Sequence, residues 1–279
     1  MSGKNYAKNQ VIALSLTVIT FVVMVGLLWV EILLINFWSS EQIITHFRIS
    51  DVLIGMTIYL KTSIDFAIFI GRLMEKNPGL KGRIGIEIGT ALGNAVGTFA
   101  ILLLWAIFKE INWLLAIMII IAALVLIRLA QDGLEHINTN QSSYPLLFRK
   151  GVRFLDVVLK KVNKPIEPVL SKILPAHSLS VTKKATLSGL LALSFTVPFV
   201  LGLDDFAGYV PLFNIVNVFG FAIGVFAGHM LLNIFLYISP KRTIALVKNP
   251  LISLLGSIAF IGLAAWGLYE AYLLLFLHR

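Results

Sequence analysis

The sequence predicts an all-α integral membrane protein of seven transmembrane helices: one N-terminal helix followed by a 3+3 inverted-topology repeat. Three observations carry that expectation. The chain is 58% hydrophobic and only 13% charged, with a mean hydropathy of +0.90, far from the composition of soluble domains. Apolar runs of about 20 residues or more recur along it, the length a helix needs to cross roughly 30 Å of hydrocarbon. Two glycine ladders, Gly85-x-x-x-Gly89-x-x-x-Gly93 and Gly220-x-x-x-Gly224-x-x-x-Gly228, each run directly into a polar residue, Asn94 and His229.

The apolar runs cover 11–36, 49–71, 84–108, 111–131, 185–211, 217–238 and 250–276. None shows the short alternating segments of a membrane barrel, so closed helices are the expected way to satisfy the backbone. The first run follows Lys4 and Lys8 and lacks a small-x-small cleavage site. It is long for a signal peptide and reads as a retained anchor. The chain then divides into a tail and first helix (1–48), a first three-helix repeat (49–131), a basic loop (132–184) and a second three-helix repeat (185–279).

Charge orients these elements. Lys and Arg crowd into the N-terminus, the 72–83 loop, the 132–184 loop and the 239–249 loop, whereas the alternate loops carry Arg48, Lys109 and Arg279. The positive-inside rule places the N-terminus in the cytoplasm and the C-terminus outside, in a multi-pass protein of the cell (inner or plasma) membrane. The net charge of +9 follows from this bias and from contact with anionic lipid, so no nucleic-acid partner is implied. Arg128 and Asp132, one turn apart, are expected to pair unless Arg128 snorkels to the headgroups.

Within the long loop Phe148, Val152, Leu155, Leu159 and Val162 recur at helical spacing, with Arg149, Lys150, Arg153, Lys160 and Lys161 largely off that stripe. This pattern suits an amphipathic helix on the cytoplasmic leaflet, after which Pro165, Pro168 and Pro175 should break the chain into short pieces. The loop is too short for an enzymatic domain with its own core. It is a lipid-stapled linker or a regulatory docking segment.

The repeat is visible in register. At a constant offset Gly85, Gly89 and Gly93 fall on Gly220, Gly224 and Gly228, Asn94 falls on His229, and Thr98 on Asn233. The preceding helices align so that Asp65 meets Asp204. Units of three helices enter the membrane from opposite sides, and a binding site is expected near the midplane where they meet.

Acidic residues inside apolar spans are costly and mark candidate transport sites. Asp65 and Asp204 are the leading candidates. Lys61, one turn before Asp65, either pairs with it or modulates a cation bound there. Pro198 and Gly202 should loosen the helix ahead of Asp204, while Asp205 points toward an outer vestibule. Glu87, Asn94 and Thr98 share one helix face, and His229 and Asn233 share another. His229 is a metal ligand, a proton relay or a hydrogen-bonded packing residue. Carboxylate, amide and imidazole together suit Mn2+, Cd2+ or Zn2+. The expected metal ligands are Asp65, Asp204 and His229, and the wider ion-binding set adds Asn94, Asp205 and Glu87. Glu31, Glu135 and Glu270 lie toward helix ends and read as packing or capping residues.

The segment Gly202-Leu203-Asp204-Asp205-Phe206-Ala207-Gly208-Tyr209-Val210-Pro211-Leu212-Phe213 resembles the G-G-D-N-x-x-x-Y-x-P-L-F segment of bacterial cadmium-resistance transporters, members of the lysine-exporter superfamily. Thr62-Ser63-Ile64-Asp65 is similar to their T-N-I-D-D, and Ile261 to Glu270 is similar to their last helix. The resemblance implies that Asp65 and Asp204 are paired intramembrane acids. Phe66 stands where that family carries a second acid, and Asp205 where it carries Asn. The superfamily also holds manganese, calcium and amino-acid exporters. Its thiol-disulfide carriers need paired cysteines, and this chain has none.

These features lead to the expectation of a secondary-active exporter of a divalent cation, of the Cd/Mn/Zn/Ca class, working by proton or sodium exchange. An exporter of a small organic solute such as an amino acid, and a non-transporting membrane scaffold, are the alternatives. No ATP-binding loop or hydrolytic constellation occurs, so neither a primary pump nor an enzyme is expected. No cofactor is implied. The expected partners are the lipid bilayer and the transported cation, with a homodimer left open.

Overall fold

The computed structural model describes residues 3–40, 42–46, 48–77, 79–135, 137, 144–173, 186–207, 210–213 and 216–277. It is all-helical, 89% helix, with no strand among the described residues. The helices are α1 (Gly3–Trp38), α2 (Ile49–Thr62), α3 (Ile64–Lys76), α4 (Leu80–Phe108), α5 (Asn112–Glu135), α6 (Leu146–Ile173), α7 (Leu187–Ala207), α8 (Val218–Ile238), α9 (Pro240–Val247) and α10 (Pro250–Phe276). A 3-10 turn at Val210–Leu212 leads into α8. Five helices, α1 from Leu14, α4, α5, α8 and α10, are long and apolar enough to cross a membrane. They expose large apolar side chains such as Leu34, Phe37, Leu255 and Phe276 outward, as an all-α membrane protein does.

The other two expected spans take different forms. Residues 49–71 do not form one straight helix, because α2 and α3 meet at Ser63 with a bend of 67°. At the end of α2 the Tyr59 carbonyl accepts both the Ser63 N–H at 2.9 Å and the Thr62 hydroxyl at 3.1 Å. The expected loosening at Pro198 is not found; α7 runs through it to Ala207, laid along α4. A neighbouring helix tolerates the missing N–H.

Outside the spans, α6 carries the predicted amphipathic pattern but continues through Pro165 and Pro168. Its stripe packs on α5 instead of facing lipid: Val152 and Leu159 are buried in a cluster with Leu126, Ala130 and Phe260. Val162 is exposed, and the next residue, Asn163, takes the inward position and donates to Gln131 Oε1 at 2.6 Å. Pro175 lies outside the described residues. The expected pair of Arg128 and Asp132 forms, at 3.9 Å. The short helix α9 has no counterpart in the sequence reading; Pro240 in its first turn supplies the start signal.

The core is set by two glycine crossings. On α4, a Cβ at Gly93 would overlap the Phe195 carbonyl of α7, and one at Gly89 the Ser194 hydroxyl. On α8, a Cβ at Gly224 would overlap the Val52 carbonyl of α2, and one on α2 at Gly55 the Phe221 carbonyl of α8. Small residues let backbones approach where lipid offers no hydrophobic drive for association. α5 packs along α10, and α1 lies against α8 and α4.

The far end of α1 is clasped to the α4–α5 turn. The Glu110 carboxylate accepts from the Ser39 hydroxyl at 2.9 Å, the Ser40 N–H at 3.1 Å and the Ser40 hydroxyl. The Ser40 and Ser39 donors hold its carboxyl below the ordinary value of 4.5.

Two outcomes follow from these contacts. Gly93→Leu and Gly224→Leu should each lower stability by about 1–3 kcal/mol, because the crossing cannot absorb a side chain. Gly26→Ala, with nothing within 4 Å of the added carbon, should be neutral or stabilising. Thermal unfolding in detergent reads both. A group whose folded value is depressed contributes stability above its unfolded value and loses it as pH falls through the folded value. Protection of the Ser40 amide, its hydrogen exchange relative to the intrinsic rate at the same pH, should therefore be present at neutral pH, fall on acidification below the carboxylate range, and be absent throughout in Glu110→Ala.

Candidate functional site

Within this bundle the most enclosed carboxyl described is Glu87, on α4 about 10 Å from the helix start at 1.5 Å per residue. Two helices supply its donors. From α8 the Tyr237 hydroxyl reaches Oε2 at 2.8 Å and Asn233 Nδ2 reaches the same oxygen at 3.1 Å. From α1 the Thr20 hydroxyl reaches Oε1 at 3.1 Å, and Thr17 also interacts with the carboxyl. No lysine or arginine forms an ion pair with Glu87 among the described residues. Neutral donors alone hold it, and burial without them would be prohibitive.

The network extends along α8. Asn233 Nδ2 also lies 3.1 Å from His229 Nε2 and 3.3 Å from the Thr90 hydroxyl. His229 Nδ1 lies 2.8 Å from the Tyr59 hydroxyl of α2. An amide N–H donating to Nε2 leaves that nitrogen without a proton, so the neutral ring carries it on Nδ1, toward Tyr59. Phe66, at the start of α3, packs on the imidazole with ring centroids 5.6 Å apart. A polar chain thus runs from Arg83 and Tyr237 at the end of α8, through Glu87 and Asn233, to His229 and the break at Ser63.

Both nitrogens of His229 are engaged by protein groups, the hydrogen-bonded arrangement among its expected roles, and no hydrogen bond joins it to Asn94 among the described residues. Asn94 is buried with its Nδ2 unpartnered, while its backbone carbonyl accepts from Thr98 at 2.8 Å. Lys61 lies in the last turn of α2 and Asp65 in the first turn of α3, on either side of the bend at Ser63. Lys61 lays its stem over Gly256 of α10 and donates to the Ser253 carbonyl at 3.2 Å.

Asp65 occupies the first turn of α3, and Asp204 and Asp205 the last turn of α7. The side chains of all three lie outside the described residues. Among the described residues no group of three His, Cys, Asp or Glu side chains could hold a metal ion. Of the helix-end acids, Glu135 accepts from Gln131 at 3.2 Å at the end of α5, whereas Glu31 is half-buried in the body of α1.

No family model, curated protein or solved structure matches the chain.

The partners that sequence reasoning missed are Thr17, Thr20, Tyr59, Thr90 and Tyr237. Tyr237 had a signal: it continues the His229, Asn233 spacing by one more turn. Thr90 had one too, one turn after Glu87 on the same helix, whereas nothing in the spacing of Thr17, Thr20 and Tyr59 ties them to that acid. Tyr237→Phe removes a donor to Glu87 and should cost about 1–3 kcal/mol, whereas Tyr269→Phe, at an exposed site, should stay within about 0.5 kcal/mol. Chemical unfolding in detergent micelles checks the contrast.

Proposed function

We propose that this chain is a secondary-active transporter that exports a divalent metal cation in exchange for protons or sodium. The observation that carries the transport reading is the buried Glu87–Asn233–His229–Tyr59 chain, which joins α4, α8 and α2 inside an apolar helical bundle. Ionisable networks of this kind are expensive in hydrocarbon and mark ion pathways.

The glycine crossings support a bundle of two inverted units. α4 crosses α7, α8 crosses α2, and α5 packs on α10, so exchanging the two halves maps each contact onto another. The halves are then 49–131 and 185–279, with α1 added at the side. Alternating access by rocking of one unit against the other suits a site at their junction.

Cargo is assigned to Asp65 and Asp204, the acids that the sequence resemblance pairs. The bend at Ser63 favours this for Asp65, since a helix interrupted within the membrane frees backbone groups beside the carboxylate. A divalent ion competes with protons for such carboxylates, which links export to an opposing gradient.

Asp65→Asn and Asp204→Asn should each reduce Mn2+ or Cd2+ flux into proteoliposomes on the order of a hundredfold, as expected for removal of one partner from a desolvated charge pair. Wild-type flux in both variants would falsify the assignment. Stimulation by lysine instead of metal would move the reading to an organic-solute exporter.

A further inference from the structure

Glu87 is placed so that it keeps its hydrogen bonds with or without a proton. Two of its hydroxyl donors, Thr20 and Tyr237, each have a second acceptor within reach. The Thr20 hydroxyl lies 3.1 Å from Glu87 Oε1 and 2.9 Å from the Thr17 carbonyl. The Tyr237 hydroxyl lies 2.8 Å from Glu87 Oε2 and 3.0 Å from the Arg83 carbonyl. When the carboxyl is ionised, both hydroxyls point at it. When it takes up a proton on Oε1, the new O–H donates to Thr20 Oγ1, whose own hydrogen turns to the Thr17 carbonyl. Protonation on Oε2 works the same way through Tyr237 and Arg83. Asn233 continues to donate to Oε2 in the first case. One O–H bond forms, no other covalent bond breaks, and only hydroxyl hydrogens move.

We propose that Glu87 is the site that binds and releases the coupling proton, separate from the cargo carboxylates; this rests on the transporter reading above. Its surroundings fit the task. The titratable groups facing it are His229 and Tyr237 from α8, Tyr59 from α2 behind His229, and Arg83 on α4 itself, whose guanidinium carbon lies 5.8 Å over the Tyr237 ring. α1 offers the hydroxyls of Thr17 and Thr20, and no titratable side chain of α5 or α7 bonds the carboxyl among the described residues. α3 brings Phe66 against His229 and carries Asp65 beside it. Arg83 and Tyr237 sit at helix ends, which gives the proton a short route to the membrane surface. At the other side, Asn233 Nδ2 lies within hydrogen-bond distance of both Glu87 Oε2 and His229 Nε2.

The proton site is tested without cargo. In the acid-minus-neutral infrared difference spectrum, purified protein in lipid nanodiscs should show, beside the signal of the other carboxyls, a protonated-carboxyl component that is lost in Glu87→Gln. A band absent at every pH, or unchanged in that variant, overturns the inference. If Glu87→Gln does not fold, Tyr237→Phe keeps the carboxyl and must shift the band; an unshifted band overturns it equally. In proteoliposomes with Mn2+ as the probe, each unit of pH gradient should raise wild-type accumulation by about tenfold per proton exchanged. The gradient should give no accumulation in Glu87→Gln. Accumulation by that variant, or a wild-type response to a sodium gradient alone, refutes the coupling role. A normal infrared result with no flux of Mn2+, Cd2+, Zn2+ or Ca2+ instead refutes the exporter reading and leaves the proton site standing.

Discussion

The missing Cβ atoms on α4, α8 and α2 are the constraint from which the rest of the bundle follows. Lipid tails are as apolar as the helices they surround, so burying leucine gives little reason for two helices to associate. Close backbone contact supplies that reason, and it is available only where no side chain intervenes. Gly89 and Gly93 bring α4 onto α7, and Gly224 and Gly55 bring α8 and α2 together. The second crossing sets the rotation of α8. With Gly224 and Gly228 turned to α2, His229 meets Tyr59, and Asn233 and Tyr237 face α4, where Glu87 lies. The polar chain is therefore a consequence of the apolar packing, and side chains at the glycines would disturb it without touching it.

Much of this was legible in the sequence, because membrane helices obey a length rule that single segments satisfy by themselves. The runs at 84–108, 217–238 and 250–276 needed no partner to be recognised, and their helices are found close to those positions. The polar residues Glu87, Asn94, His229 and Asn233 were equally visible, since each interrupts an apolar run. Their partners were not. Whether Glu87 faces Tyr237 or Asn94 faces His229 depends on helix rotation about the glycine crossings, and one helix's periodicity holds no information about its neighbour's rotation. Asn94 and His229, matched in the sequence register, lie on two helices whose glycines pack against different partners, α7 and α2.

Proline is the strongest helix breaker the sequence offers, yet α6 and α7 both pass through prolines, while the bend lies at Ser63, after Thr62. A proline removes one donor, and a helix can continue past the loss where its neighbours hold it. The bend at Ser63 leaves no mark in hydropathy, because the residues on both sides of it belong to one apolar run.

That bend also explains the position of Lys61. α2 is fixed on one side by its glycine crossing with α8 and on the other by Lys61, whose stem crosses α10 where Gly256 leaves room and whose ammonium ends on the Ser253 carbonyl. α3 packs mainly against α9, with further contacts to α8, α4 and α7. Both halves of the bent segment therefore rest on α8, while α10 and α9 hold them on their other sides, with Ser63 between them. His229 touches both, through Tyr59 on α2 and Phe66 on α3. Lys61 acts on the α2 side of the bend: by tying α2 to α10 through the Ser253 carbonyl it leaves the start of α3, with Phe66, to be positioned by its packing on His229.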